Sequence, residues 1–136
     1  MAKGRRTNRK GRSQRQAPFV KLDHAMLRTE AWKHLSPTGA KLLLAIWIRH
    51  NGRNNGRISF SRREAMTTLG CGEHKVKEVL EELQNKGFLE IRRDAAFGKG
   101  DHKAREWAIT AEPEGSDKPT RRFRYWSRKR GLPPKI

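Results

Sequence analysis

Apolar residues in this chain fall in short groups whose spacing alternates between helical and strand-like periods. The run FVKLDHAMLRTEAWKHL mixes an extended start with a short helix, for which Asp23 is the predicted N-cap. A longer helix is predicted in SPTGAKLLLAIWIRHN. Ser36 caps it, Pro37 sits in the first turn where a missing N–H costs nothing, and Leu42, Leu43, Ile46 and Trp47 form its buried face. Asn51-Gly52 ends it, and NGRNNG reads as a turn-rich loop.

Beyond the loop, Arg57-Ile58-Ser59-Phe60 alternates as a brief strand does. Ser61-Arg62-Arg63-Glu64 has the form of a capping box, in which cap hydroxyl and third-residue carboxylate each take the other's amide. Ala65, Met66 and Leu69 give that helix its apolar face, and Gly70-Cys71-Gly72 breaks it. A second helix runs from Glu73 to about Lys86, with Val76, Val79, Leu80 and Leu83 at i, i+3, i+4 and i+7, and Gly87 stops it. Two strands follow, FLEIRRD with Leu89 and Ile91 on one face and REWAIT with Trp107 and Ile109 on one face. Between them lies the Gly- and Lys-bearing segment DAAFGKGDHKA. From about Pro113 the chain shows neither periodicity.

Charge changes the picture because it is unevenly placed. Of 136 residues, 32 are Lys or Arg and 14 are Asp or Glu, a net charge of +18. Residues 1–17 hold seven of the cations and residues 118–136 hold eight, with no acid in either segment. The stretch between them is only +3, so fifteen of the eighteen excess charges lie on the two ends. Basic ends on a near-neutral centre suit a polyanion, bound through phosphate contacts and counterion release. The expected division is a disordered basic arm over 1–17, one domain over 18–112 and a basic tail over 113–136.

Other chemistry finds little support. The single cysteine, Cys71, cannot form an internal disulfide, and sitting in a turn it suits packing better than redox sensing. The five histidines lack the spacing of a helical zinc pair, so neither metal nor cofactor is expected. No catalytic triad setting or phosphate-cradling loop is visible, and no enzyme is expected. Without a long apolar run or a secretory signal, cytoplasmic residence is expected and membrane partners are not. Trp32, Trp47 and Trp107 read as core. Tyr125 and Trp126, flanked by arginines, suit either docking of the tail or stacking on bases.

Strand, capped helix, glycine turn, amphipathic helix and basic hairpin, in that order, carry a resemblance. The stretch ISFSRREAMTTLGCGEHKVKEVLEELQNKGFLEIRRDAAFGKGDHKAREWAIT resembles the winged helix–turn–helix domains of bacterial regulators and of phage or plasmid replication proteins. The resemblance covers residues 19–112 and implies an α+β fold: a three-helix core, a short strand and a C-terminal β-hairpin wing, here flanked by disordered basic arms. It departs from the family pattern at the second helix, where Gly72 stands for a polar cap and charged Glu73-His74-Lys75 for small base-reading residues.

The implied function is sequence-specific binding of double-stranded DNA by a nucleoid-associated regulator of transcription. Alternatives are replication initiation on a mobile element, association with RNA or the ribosome, and a protein-docking adaptor; a homodimer is an allowed assembly. The expected DNA-facing residues are His74, Lys75, Lys77 and Glu78 on the recognition helix. Arg62 and Arg63 join them at the preceding helix start, with Arg92, Arg93, Lys99, Lys103 and Arg105 at the wing. On the arms, Arg5, Arg6, Arg9, Lys10, Arg12, Arg121, Arg122 and Arg124 are the expected phosphate contacts.

Overall fold

Asp23 caps the first helix as its position predicts, its carboxylate accepting from the Ala25 amide at 3.2 Å. In the computed structural model, which describes residues 17–98 and 101–135, this helix (α1, His24–Leu27) is short and is followed by a second (α2, Glu30–Lys33). Thr29 separates them. Its hydroxyl donates to the Met26 carbonyl at 2.6 Å and accepts from the Trp32 amide, so one residue closes α1 and starts α2. The periodicity alone predicts a single helix here, because the break is made by a side-chain bond.

Helix α3 (Pro37–Trp47) begins as expected, with Ser36 accepting from the Gly39 amide and Pro37 in the first turn. Leu42, Leu43, Ile46 and Trp47 are all buried. After strand β1 (Ile58–Ser59), helix α4 (Arg62–Leu69) opens on the capping box: Ser61 Oγ accepts from Glu64 N at 3.0 Å and Glu64 Oε2 from Ser61 N at 2.8 Å. Gly70 closes it in the left-handed conformation, φ 63°. Helix α5 (Glu73–Asn85) follows, and Val76, Val79, Leu80 and Leu83 bury its stripe. Each such side chain taken from water contributes about 1.5–3 kcal/mol before ordering costs are set against it.

Strands β2 (Leu89–Arg93) and β5 (Glu106–Ile109) flank a two-stranded hairpin of β3 (Ala96–Gly98) and β4 (Asp101–Lys103). The main sheet is antiparallel in the order β1-β5-β2, with Trp107 opposite both Ile58 and Ile91 and Ile109 opposite Leu89. The register shifts between Ile91 and Arg93, and pairing resumes with Arg93 opposite Glu106 just before the hairpin. Buried Trp107 satisfies its indole N–H on the Phe60 carbonyl at 3.2 Å. The result is an α+β fold, helices packed on a small antiparallel sheet.

The C-terminal segment corrects the expectation of a disordered arm. Arg122–Tyr125 forms a 3-10 helix (η1) whose Phe123 is 2% exposed and belongs to the main core. The Arg121 amide donates to the Thr110 carbonyl at 2.8 Å, and the Thr110 hydroxyl donates to the Gly87 carbonyl at 2.6 Å. Gly87, with φ +84°, explains the close seat: a Cβ there would stand 2.8 Å from the Arg122 carbonyl carbon and the Phe123 nitrogen. An aromatic residue inside an arginine run is buried because the end of α5 and β2 leave a site for it.

Candidate nucleic-acid interface

The start of α5 and the end of β2 meet on one side of the fold. Because α5 runs one way and β2 returns, Glu73 and Asp94 come to border the same groove, of about 1020 Å³. Met66, Leu80 and Trp107 give it an apolar floor, while Arg62, Arg63, Lys103 and Arg105 supply cations at its edge. This groove lies where α4, α5 and the β3–β4 hairpin approach one another.

Of the cations expected here, several are paired within the fold. Arg62 reaches Glu73 at 2.7 Å and so ties the start of α4 to the start of α5. Arg105 meets Asp94 at 2.8 Å across the base of the hairpin, with its guanidinium 5.7 Å from the Trp107 ring centre. The Arg105 hydrogen bond holds the Asp94 carboxyl below its ordinary range, with help from the Ala95 amide. Arg93 meets Glu106 at 3.2 Å. The Arg62–Glu73 and Arg93–Glu106 pairs lie at the surface and each stabilises by about 0–1 kcal/mol, little enough for a phosphate to replace the carboxylate. Arg63 and Lys103 are exposed and form no ion pair among the described residues.

Arg92 departs from the sequence expectation. Its guanidinium bonds Glu114 through two nitrogens, Nε and Nη2, at 2.9 Å each and Glu90 at 2.8 Å. The Glu114 hydrogen bonds outweigh burial and raise its pKa further, so it is a clamp between β2 and the C-terminal segment. The irregularity at Arg92 breaks the alternation of β2: Arg92 turns to Glu90 and Glu114, while Arg93 pairs across to Glu106 at the base of the hairpin. Lys99 lies outside the described residues, as do Arg5, Arg6, Arg9, Lys10 and Arg12.

On α5, His74, Lys75, Lys77 and Glu78 are all exposed, as the stripe predicts. Their charges partly cancel. Glu78 lies 3.3 Å from His74, whose side chain is 90% exposed, and 3.9 Å from Lys75. Lys77 has no ion pair among the described residues. Over its length α5 carries four carboxylates and two lysines, so the helix alone is not a basic surface. Glu82 turns back to α3: it accepts from the Ser36 hydroxyl and pairs with Lys86 at 3.1 Å. Burial raises the Glu82 pKa, yet the Ser36 and Lys86 hydrogen bonds prevail and lower it.

The C-terminal cations divide as well. Arg121 and Arg124 are exposed, the latter with its guanidinium 5.5 Å from the Tyr125 ring. Arg122 instead donates to the Pro133 carbonyl, which corrects its assignment as a free phosphate contact. Lys135 pairs with Glu90 and returns the chain end to β2. Trp126 is half-buried beside His34 and Lys86, so of the two aromatic residues only Tyr125, 54% exposed, faces outward.

Arg49 is a participant that the sequence reading misses. It leaves the end of α3, bonds the Ser59 carbonyl at 2.7 Å and both Glu64 oxygens, and covers the Phe60 ring at 4.3 Å. The Arg49 hydrogen bond is the main reason that the Glu64 carboxyl falls to about 2. Its cue in the sequence is slight, a lone arginine after an apolar helix.

Among the described residues no group of His, Cys, Asp and Glu is placed to hold a metal ion. No helix among them is long and apolar enough to cross a membrane. The chain matches no protein family, no curated protein and no solved structure.

Proposed function

We propose that this chain binds duplex DNA without catalysing a reaction, using a winged helix–turn–helix unit made of α3, β1, α4, α5, β2, the β3–β4 hairpin and β5, and that it regulates transcription. The observation that carries the reading is the juxtaposition of three elements around one groove. The start of α5 follows a glycine turn, the hairpin leaves the sheet beside it, and Arg63, Lys77 and Lys103 remain exposed around them. A helix with its start free and a basic hairpin at its flank can enter a major groove and grip the adjoining backbone. The departure at Glu73 fits within this reading, because that carboxylate is held by Arg62 and positions the helix start.

The test is gel mobility of the full chain with a selected duplex, a scrambled duplex and an RNA hairpin of the selected sequence. Preferential retardation of the selected duplex is expected. Stronger retardation of the RNA would replace this reading with the RNA-associated one.

A further inference from the structure

We propose that the loop Arg128-Lys129-Arg130, together with exposed Arg121 and Arg124 shortly before it in the chain, is a second phosphate-backbone site, so that one chain can hold two duplex DNA segments. The inference rests on the reading of the α5 side as the first DNA site and goes beyond it.

The loop is built. Ser127 and Gly131 exchange both backbone hydrogen bonds, at 3.2 and 2.7 Å, and the Ser127 hydroxyl accepts from the Arg130 amide at 3.1 Å. Gly131 takes φ +67°, which lets three residues close the turn. The chain immediately before it is anchored by Phe123 in the core and by Trp126, over which the Lys86 ammonium sits at 5.1 Å. An anchored turn presents its cations with less ordering cost than a free tail does.

The loop is also uncompensated. Arg121, Arg124, Arg128, Lys129 and Arg130 are exposed and make no ion pair among the described residues, and residues 118–136 contain no acid. By contrast Arg62, Arg93 and Arg105, around the groove, each face a carboxylate. Among the described residues, the C-terminal segment thus holds five exposed cations with no carboxylate facing them.

Placement separates the two surfaces. The groove borders Glu73, at the start of α5, whereas Trp126 and Phe123 pack at Lys86 and Gly87, just past its end. Lys75 and Lys86 are eleven residues apart, about 16 Å along a helix axis. A duplex seated at the groove leaves the loop at the other end of α5 for a second segment. The turn itself, Arg128-Lys129-Arg130, offers charge and no aromatic side chain, and the nearby exposed ring of Tyr125 is met by the Arg124 guanidinium at 5.5 Å, which suits sequence-independent phosphate contact.

A bead-bound duplex and a second, labelled duplex test this. The full chain should retain the label. The triple variant Arg128→Ala, Lys129→Ala, Arg130→Ala alters only exposed turn positions and should keep its melting temperature. It should still bind the first duplex, but capture of the second should fall about tenfold or more, because three phosphate-binding side chains are removed. Lys77→Ala with Arg63→Ala should instead weaken the selected duplex, which tests the first site separately. Undiminished capture by the triple variant overturns the second site, whatever the oligomeric state. Capture of a labelled RNA hairpin but not of duplex would assign the loop to RNA and overturn the duplex proposal. Binding of one duplex at the α5 side with no capture by the unaltered chain would overturn the second site alone. Absence of duplex binding altogether would overturn both.

Discussion

The side chain of Asn55 pairs with the backbone of Ile109 as a neighbouring strand would: its Oδ1 accepts from the Ile109 amide at 2.7 Å and its Nδ2 donates to the Ile109 carbonyl at 2.9 Å. The same Nδ2 reaches the carbonyls of Glu112 and Pro113, and the residue is only 6% exposed. One amide thus closes the end of β5 and turns the chain toward its C-terminal segment. Asn55→Ala leaves a buried amide and several carbonyls unpaired, at about 1–3 kcal/mol for each group that water cannot reach. Urea denaturation should show a loss of about 3 kcal/mol, and Asn55→Asp, which keeps the acceptor but removes the donors, should not restore it. A midpoint unchanged in both variants would show that this amide does not hold the segment.

Phe123 lies stacked on Phe88, ring centroids 5.2 Å apart and planes 13° from parallel. Phe123→Ala should lower stability by about 3–5 kcal/mol, the range for deleting a buried aromatic ring. Gly87→Ala should approach the same outcome by another route, since it adds a Cβ against Arg122 and Phe123 at a left-handed φ. Melting temperatures and protease sensitivity after residue 113 check both. A full-stability Phe123→Ala protein would return the segment to the status of a loose arm.

How far the sequence reveals this architecture depends on where each determinant lies. Helices α3, α4 and α5 carry their own punctuation, Ser36-Pro37, the Ser61–Glu64 box and Gly70 to Gly72, so they are legible from local pattern. Asn55 is not: the β5 and C-terminal groups that it pairs with are 54 or more residues away, and in sequence it is one more turn residue in NGRNNG. Phe123 is hidden for a similar reason, since its burial depends on Phe88 and on the missing side chain at Gly87. The basic residues of the candidate site are legible as a set. Which of them are paired depends on Glu73, Asp94, Glu106 and Glu114, acids brought beside them by the fold.

The Arg49–Glu64 pair gives stability a pH dependence of known sign. The Glu64 carboxyl is lowered in the folded chain from about 4.5 to about 2, so the unfolded state binds a proton more readily. Its contribution is present above the unfolded value and is lost as pH falls from about 4.5 toward 2. Because the pair is partly exposed, that contribution is about 0.5–1 kcal/mol after solvent screening. Glu64→Gln keeps a side chain able to complete the capping box but removes the charge. It should be less stable than the unaltered chain at pH 6 and equal to it near pH 2, and a constant difference across that range would mean that the ion pair is not responsible.

On α5 the distinction between reading bases and holding phosphates can be made with three substitutions. Lys77 is exposed and has no ion pair among the described residues, Lys75 shares Glu78 with His74, and Lys103 stands on the hairpin. If Lys77 reaches a guanine edge, as the proposed docking requires, Lys77→Ala should cost about 1–3 kcal/mol on the selected duplex and much less on a scrambled one. Lys103→Ala should weaken both by similar factors, because phosphate contacts carry no sequence information. Glu78→Gln removes the acid that faces His74 and Lys75 and should strengthen both duplexes, with a salt dependence steeper by about 0.9 for each further phosphate that the helix neutralises. All three would be measured by titration at several salt concentrations. Equal losses on the two duplexes for Lys77→Ala would take base reading away from α5, and binding would then rest on the hairpin and the C-terminal cations.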